Sequence, residues 1–379
     1  MNSFEKYAKM ISLEPYNDRR EMPIFPMMLA SYGSVGDVSQ KDIVHSADKW
    51  IEAIDNTIAK IGHPDVSMAM CPGDTIFIMS LPARLPGEQL GDNDLYQFVE
   101  TAYFDDPSEY YKIMDMSWGY WNALHMMSVQ NPPMQSPEEL GPRFCLLGAN
   151  LVKTIPHLIK RGIVPCFENA TAPIFDQLSM YRTMQEFTFD LYDDPGIIMD
   201  IIHKYQPIED ENSIKQCKES GVQKFGIFAM RSSATFVSPT MFEEYIWPEM
   251  KASILRYHEA GLISVLHADG NWLPMCKYFT ELPKGCLHLE LDGSTDIFEA
   301  YDILKGYQSI RGDVPATMLA YGTPDEVAEY SEKLVQMGMG GGFMLSSGCE
   351  VPLNVKLENL KAFMSVIPQE DQSTVYRGA

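Results

Sequence analysis

Apolar and polar positions along the chain follow two alternating periods. Strand-length runs such as Leu262-Ile263-Ser264-Val265-Leu266-His267-Ala268 and Phe343-Met344-Leu345-Ser346-Ser347 are separated by longer stretches with helical spacing. From about residue 160 onward the alternation is regular. It predicts strands at 163–169, 225–230, 262–268, 286–292, 307–313 and 341–347. Two earlier runs, 24–30 and 66–70, bring the total to eight, which predicts an α/β fold built as a single parallel (β/α)8 TIM barrel, not an open doubly wound sheet. Thr323-Pro324-Asp325-Glu326 combines an N-cap threonine, a first-turn proline and a capping-box glutamate, and Ser238-Pro239 opens another helix in the same manner. Asn354 is the expected cap of the last helix, which carries Leu357, Leu360 and Phe363 at helical spacing. The expected organisation is an N-terminal helical extension over 1–22, a barrel over 23–366 with an accessory or lid segment at about 71–162, and a loose tail over 367–379.

Composition narrows the class. The chain has 379 residues, 45% hydrophobic and 21% charged, as expected of a soluble globular protein. A formal net charge of −23, with no basic patch, argues against nucleic-acid binding. Seven cysteines without regular spacing argue against a disulfide framework. Met1-Asn2-Ser3-Phe4-Glu5-Lys6 lacks the apolar stretch of a signal peptide, and no run reaches the roughly 20 apolar residues of a membrane span. A cytoplasmic protein with free thiols is expected.

The candidate chemistry sits at strand ends. In a parallel barrel every strand points its C-terminal end at one mouth, so residues distant in sequence converge there. His267 ends one strand, Asp269 lies two residues on, and Cys349 follows the turn Ser346-Ser347-Gly348 after the last strand. An imidazole, a carboxylate and a thiolate at one mouth predict a catalytic zinc site. Glu168, ending the third strand, is a further candidate ligand. His288, Glu290 and Asp292 alternate with leucines and share one strand face, expected inside the barrel with Asp292 nearest the mouth; Asp313 is expected to end the next strand in the same way. Such carboxylates suit metal binding, ligand binding or positioning of a histidine. Asp292 and His267 are the candidate catalytic residues. Trp118, Trp121 and His125 in the accessory segment are either the core of accessory helices or the wall of an apolar substrate pocket, and Met230, ending the fourth strand, and Arg231, just past it, are further candidates for substrate contact. Gly338-Met339-Gly340-Gly341-Gly342 precedes a strand and reads as a helix-to-strand turn, not a phosphate loop.

Five segments together resemble a known family. They are His267-Ala268-Asp269-Gly270-Asn271; Arg311-Gly312-Asp313-Val314 with Tyr321-Gly322-Thr323-Pro324-Asp325-Glu326-Val327; Leu345-Ser346-Ser347-Gly348-Cys349-Glu350-Val351-Pro352; and, less closely, Thr171-Ala172-Pro173-Ile174-Phe175-Asp176. They resemble the uroporphyrinogen decarboxylase superfamily and, within it, the corrinoid-dependent methyltransferase branch. The resemblance implies a single β/α barrel. The decarboxylase carries an arginine-rich N-terminal loop for substrate carboxylates, whereas the matching stretch here, Leu29-Ala30-Ser31-Tyr32-Gly33-Ser34-Val35-Gly36-Asp37, has no arginine. The methyltransferase branch holds zinc with His-x-Cys and a distant Cys. This chain matches at His267 and Cys349 and has Asp269 at the middle position. A harder carboxylate ligand leaves the metal more Lewis-acidic, so the expected activity is that of an O-demethylase component. Such an enzyme moves a methyl group from a methoxylated aromatic to the Co(I) of a corrinoid carried by a separate protein, in an anaerobic setting. Alternatives are transfer from a corrinoid to a thiol of the coenzyme M type, methanol or methylamine methyltransfer, a decarboxylase-type lyase, or a non-catalytic corrinoid-binding subunit. A homodimer is one expected assembly.

Overall fold

The computed structural model describes residues 1–166, 169–221 and 223–368. Eleven strands are present among them: β1 Ile24–Phe25, β2 Val66–Ser67, β3 Ala83–Arg84, β4 Gln97–Phe98, β5 Val164–Pro165, β6 Asn169–Thr171, β7 Lys224–Phe228, β8 Ile263–Ala268, β9 Leu287–Leu291, β10 Ser309–Val314 and β11 Phe343–Ser347. Seven form one all-parallel sheet in the order β1-β11-β10-β9-β8-β7-β6. β2 and β5 pair in parallel beside it, and the Asp65 N–H donates to the Ile24 carbonyl at 3.0 Å, which joins β2 to β1. With the short step from β5 to β6, these strands occupy the eight positions of a (β/α)8 barrel.

Several strands are shorter than their apolar runs suggest. β1 stops at Phe25 because Pro26 has no N–H to give the ladder. The run at 163–169 appears as β5 and β6, with residues 167 and 168 outside the described part. The caps at Thr323 and Ser238 form as expected: each side chain accepts from the backbone N–H three residues on. Asn354 does not cap the last helix. Leu357–Ser365 starts after Lys356 without a side-chain cap, and the Asn354 amide instead donates to the Tyr321 hydroxyl at 3.3 Å.

The helix Ser3–Ile11 is fixed against the barrel by one buried carboxylate. Asp65 accepts from Ser3 Oγ at 2.8 Å, Lys6 Nζ at 3.1 Å and the Ile24 N–H at 3.0 Å. The segment between β2 and β5 holds the helices Pro72–Met79, Glu109–Met116, Trp118–Val129 and Leu140–Lys160, together with the antiparallel pair β3–β4. Among the described residues, no helix is long and apolar enough to cross a membrane.

Candidate metal centre

The site rests on one row of side chains across four neighbouring strands. Register pairs Phe228 of β7 with His267 of β8, His267 with Glu290 of β9, and Glu290 with Arg311 of β10. In β9 the sequence Leu287-His288-Leu289-Glu290-Leu291 sends its leucines toward the helices and its polar residues into the barrel. The row is therefore bonded sideways. His267 Nδ1 lies 3.1 Å from Glu290 Oε2, and Arg311 Nε donates to Glu290 Oε1 at 2.9 Å. Cys166 Sγ adds a second donor to the same oxygen at 3.2 Å, and Arg311 Nη1 donates onward to Ser346 Oγ at 2.8 Å. Glu290 and Arg311 are both buried. Burial alone would raise the Glu290 pKa, but Arg311 and His267 outweigh it and hold the carboxyl well below the usual range.

This row fixes the histidine. With Nδ1 committed to Glu290, Nε2 points to the mouth. There it lies 3.4 Å from Asp269 Oδ1 and 3.8 Å from Cys349 Sγ, and one ligand atom from each of the three residues lies within 4.8 Å of the others. Burial disfavours the charged imidazole, yet Asp269, Cys349 and Glu290 prevail and hold the His267 pKa well above its ordinary value. A cluster that draws a proton this strongly also draws a metal cation, and the two compete. Zinc bonds of about 2.0–2.2 Å to nitrogen and oxygen and about 2.3 Å to sulfur give tetrahedral edges of roughly 3.4 and 3.6 Å. The observed 3.4 and 3.8 Å match these edges, so the donor set fits zinc with positions left open.

Two glycines make the approach possible. A Cβ on Gly348 would meet the Asp292 carbonyl, so only glycine lets the chain leave β11 tightly enough to bring Cys349 to His267. Gly270 has φ +83°, and a Cβ there would meet Ser233 and Thr235. Its N–H donates to Asp292 Oδ2 at 2.9 Å, while Asp292 Oδ1 accepts the Ser294 N–H at 2.8 Å. Asp292 thus organises the turns after β8 and β9, and Glu290, one step deeper on the same face, is the carboxylate that touches His267. The leucine alternation exposed that face but not which member meets the histidine.

The remaining candidates are spread out. Asp313 does not join the mouth; it accepts from the Tyr330 hydroxyl at 2.8 Å, on the helix Pro324–Gly338. Glu168 lies outside the described residues. His288 is buried deeper in the barrel, with Nδ1 2.9 Å from Ser309 Oγ. Trp118, Trp121 and His125 are buried in an aromatic cluster, His125 against Tyr181 at 3.7 Å between ring centroids and with Nε2 2.8 Å from the Ser80 carbonyl. Their helix neighbours Asn122 and Met126 line a groove of about 800 Å³ that Phe228 also lines, and the Phe228 ring stands 5.6 Å edge-on from that of His267. Met230 is half-buried. Arg231 is engaged with the Ser179 carbonyl at 3.0 Å and Glu100 at 3.3 Å.

Sequence reasoning singled out Glu350 only as part of a motif. Its carboxylate accepts the N–H groups of Leu29, Ala30 and Ser31, and burial pushes its pKa up to about 7 despite those bonds. The loop that lacks arginine therefore spends its backbone donors on a carboxylate from its own chain.

Comparison with known proteins agrees with this architecture. A stretch of 147 residues is 27% identical to the methylcobamide:CoM methyltransferase MtbA of Methanosarcina acetivorans, covering 39% of this chain and 42% of that one. The chain thus spans less than half the length of the curated relative it matches. The fold is shared with a methyltransferase from Methanosarcina mazei at a TM-score of 0.65 and 11% identity, over 97% of this chain and 98% of that one. The uroporphyrinogen decarboxylase (URO-D) model matches residues 145–369, which contain β7 to β11 and all three residues of the candidate metal centre, and the chain belongs to that family.

Proposed function

We propose that this protein is a zinc-dependent, corrinoid-dependent methyltransferase. It moves a methyl group from a methoxylated aromatic to the Co(I) of a corrinoid held by a separate protein. The observation that carries this reading is the convergence of His267, Asp269 and Cys349 at the barrel mouth, with Glu290 and Arg311 behind the histidine. Likeness to the two methyltransferases supports the transfer chemistry.

His267 Nε2, an Asp269 oxygen and Cys349 Sγ would hold the metal. Bound there, zinc supplies Lewis acidity to the ether oxygen and so improves a phenolate as leaving group. One thiolate and one carboxylate give a harder donor set than two thiolates, which suits an oxygen better than a thiol. The chain's own part is positional. Glu290 fixes the tautomer and direction of His267, Arg311 keeps Glu290 ionised, and the buried Phe228 ring packs edge-on beside the imidazole. The absence of free basic groups on the 29–37 loop, with its N–H groups taken by Glu350, disfavours a polycarboxylate porphyrinogen.

A second reading is methyl transfer between a corrinoid and a thiol, which the name of the Methanosarcina acetivorans relative favours. Purified protein supplied with reduced corrinoid partner and a panel of methyl donors separates the two. The proposal expects methylcobalamin from methoxyarenes; formation only from methanol or methylthiols, or methylation of a thiol from methylcobalamin alone, would contradict it.

A further inference from the structure

The groove that Phe228 lines lies between the helices Leu140–Lys160 and Pro195–Ser220 and is lined also by all three residues of β6. Its two walls differ. The first helix offers an apolar stripe at helical spacing, Phe144, Leu147, Leu151, Val152 and Ile155, with Phe144 46% and Val152 75% exposed. In the middle of that stripe stands Gly148. A Cβ there would meet nothing within 4 Å, so neither close packing nor backbone conformation calls for glycine at this position. A mid-helix glycine is unfavourable relative to alanine, and the space beside this one is open toward the groove. The facing helix contributes Glu209, Asn212, Gln216 and Glu219, and among the described lining residues there is no lysine or arginine. Burial holds the Glu209 carboxyl above its ordinary range, and a hydrogen bond from Asn212 opposes the shift only in part.

We infer that this groove is the binding site for the body of the methyl donor, and that it selects an elongated, neutral or cationic amphipathic molecule over a carboxylated one. The inference rests on the proposed methyltransfer for the word donor, but the groove and its preference stand on their own geometry. The apolar stripe accepts the ring and alkyl surface, and the opposite wall accepts hydrogen bonds from hydroxyl or ammonium groups. Phe228, one of the groove's lining residues, stands 5.6 Å from the His267 ring and so links the groove to the candidate metal centre. A carboxylate placed between these walls would face Glu209 and Glu219, and Lys215, four residues before Glu219 on the same helix, is already engaged by Glu219 at 4.0 Å.

The test uses the full-length protein and a neutral solvatochromic dye, Nile red, so that binding is read without any methyl transfer. Wild type and Gly148→Ala are expected to bind the dye alike, because one methyl group leaves the groove open. Gly148→Trp, with the same circular dichroism and melting temperature as Gly148→Ala, is expected to bind it at least tenfold more weakly. 2-Methoxy-4-propylphenol should displace the dye at a concentration at least tenfold below that needed by 4-hydroxy-3-methoxybenzoate. Failure of wild type to bind the dye, or equal binding by a folded Gly148→Trp, would overturn the groove as a ligand site, whatever the corrinoid assay shows. Equal displacement by the two methoxyarenes would overturn the charge preference. Groove binding with no methylcobalamin from any methoxyarene would instead overturn the proposed reaction and leave the groove standing.

Discussion

At the residue scale, the site depends on one buried carboxylate that binds two cationic partners. Glu290 meets His267 on one oxygen and Arg311 on the other. Glu290→Gln would keep the shape but leave Arg311 charged and uncompensated in the barrel interior. Breaking a buried pair in this way costs on the order of 3 kcal/mol, and loss of a histidine's orienting carboxylate weakens metal binding about 10–100-fold. Urea unfolding and a competitive zinc titration on the same variant should show both effects; unchanged zinc affinity would mean that Glu290 does not orient the ligand. Asp292 is predicted to behave differently. Asp292→Asn should retain zinc affinity within about twofold by the same titration, because its oxygens serve the Gly270 and Ser294 N–H groups and not the histidine. His267 and Cys349 were legible because each ends an apolar run, and runs of that kind converge in a parallel barrel. The choice between Glu290 and Asp292 was not legible, since both lie on one strand face and only the register with β8 decides which meets the histidine.

At the element scale, alternation located the strands but misplaced Asp313. It was expected at the mouth with the other strand-end carboxylates, and it meets Tyr330 of the helix layer instead. Burial pushes its pKa up to about 6 from an ordinary value of 3.8, and Tyr330 opposes the shift only in part. The folded state therefore holds the proton more tightly than the unfolded chain does. This contribution is complete below pH about 4 and is lost as pH rises through about 6. At pH 8 Asp313→Asn should be more stable than wild type, by at most about 3 kcal/mol at 1.36 kcal/mol per tenfold change in proton affinity. The advantage should shrink or vanish at pH 4, and urea unfolding at the two values measures it. An equal difference at both pH values would remove the titration account. The accessory helices show the opposite limit of sequence reading. Trp118, Trp121 and His125 could equally have lined a pocket, and their mutual stacking, not their composition, puts them in the core while Asn122 and Met126 reach the groove.

At the scale of the whole molecule, eight strand positions bring the ends of β8 and β11 together across 82 residues of sequence, and this contact makes a centre from His267, Asp269 and Cys349. Family membership accounts for the barrel, and the donor set and the groove are read from the side chains of this chain. Metal uptake should fall with acidity, because zinc must displace the proton that the cluster holds on His267. The most direct test is elemental analysis of anaerobically purified protein, wild type beside Cys349→Ala. About one zinc per chain in wild type, lost in the variant while its fold is retained, is the predicted result. A wild type without zinc, or a variant with undiminished zinc, would contradict the metal centre and the Lewis-acid chemistry built on it.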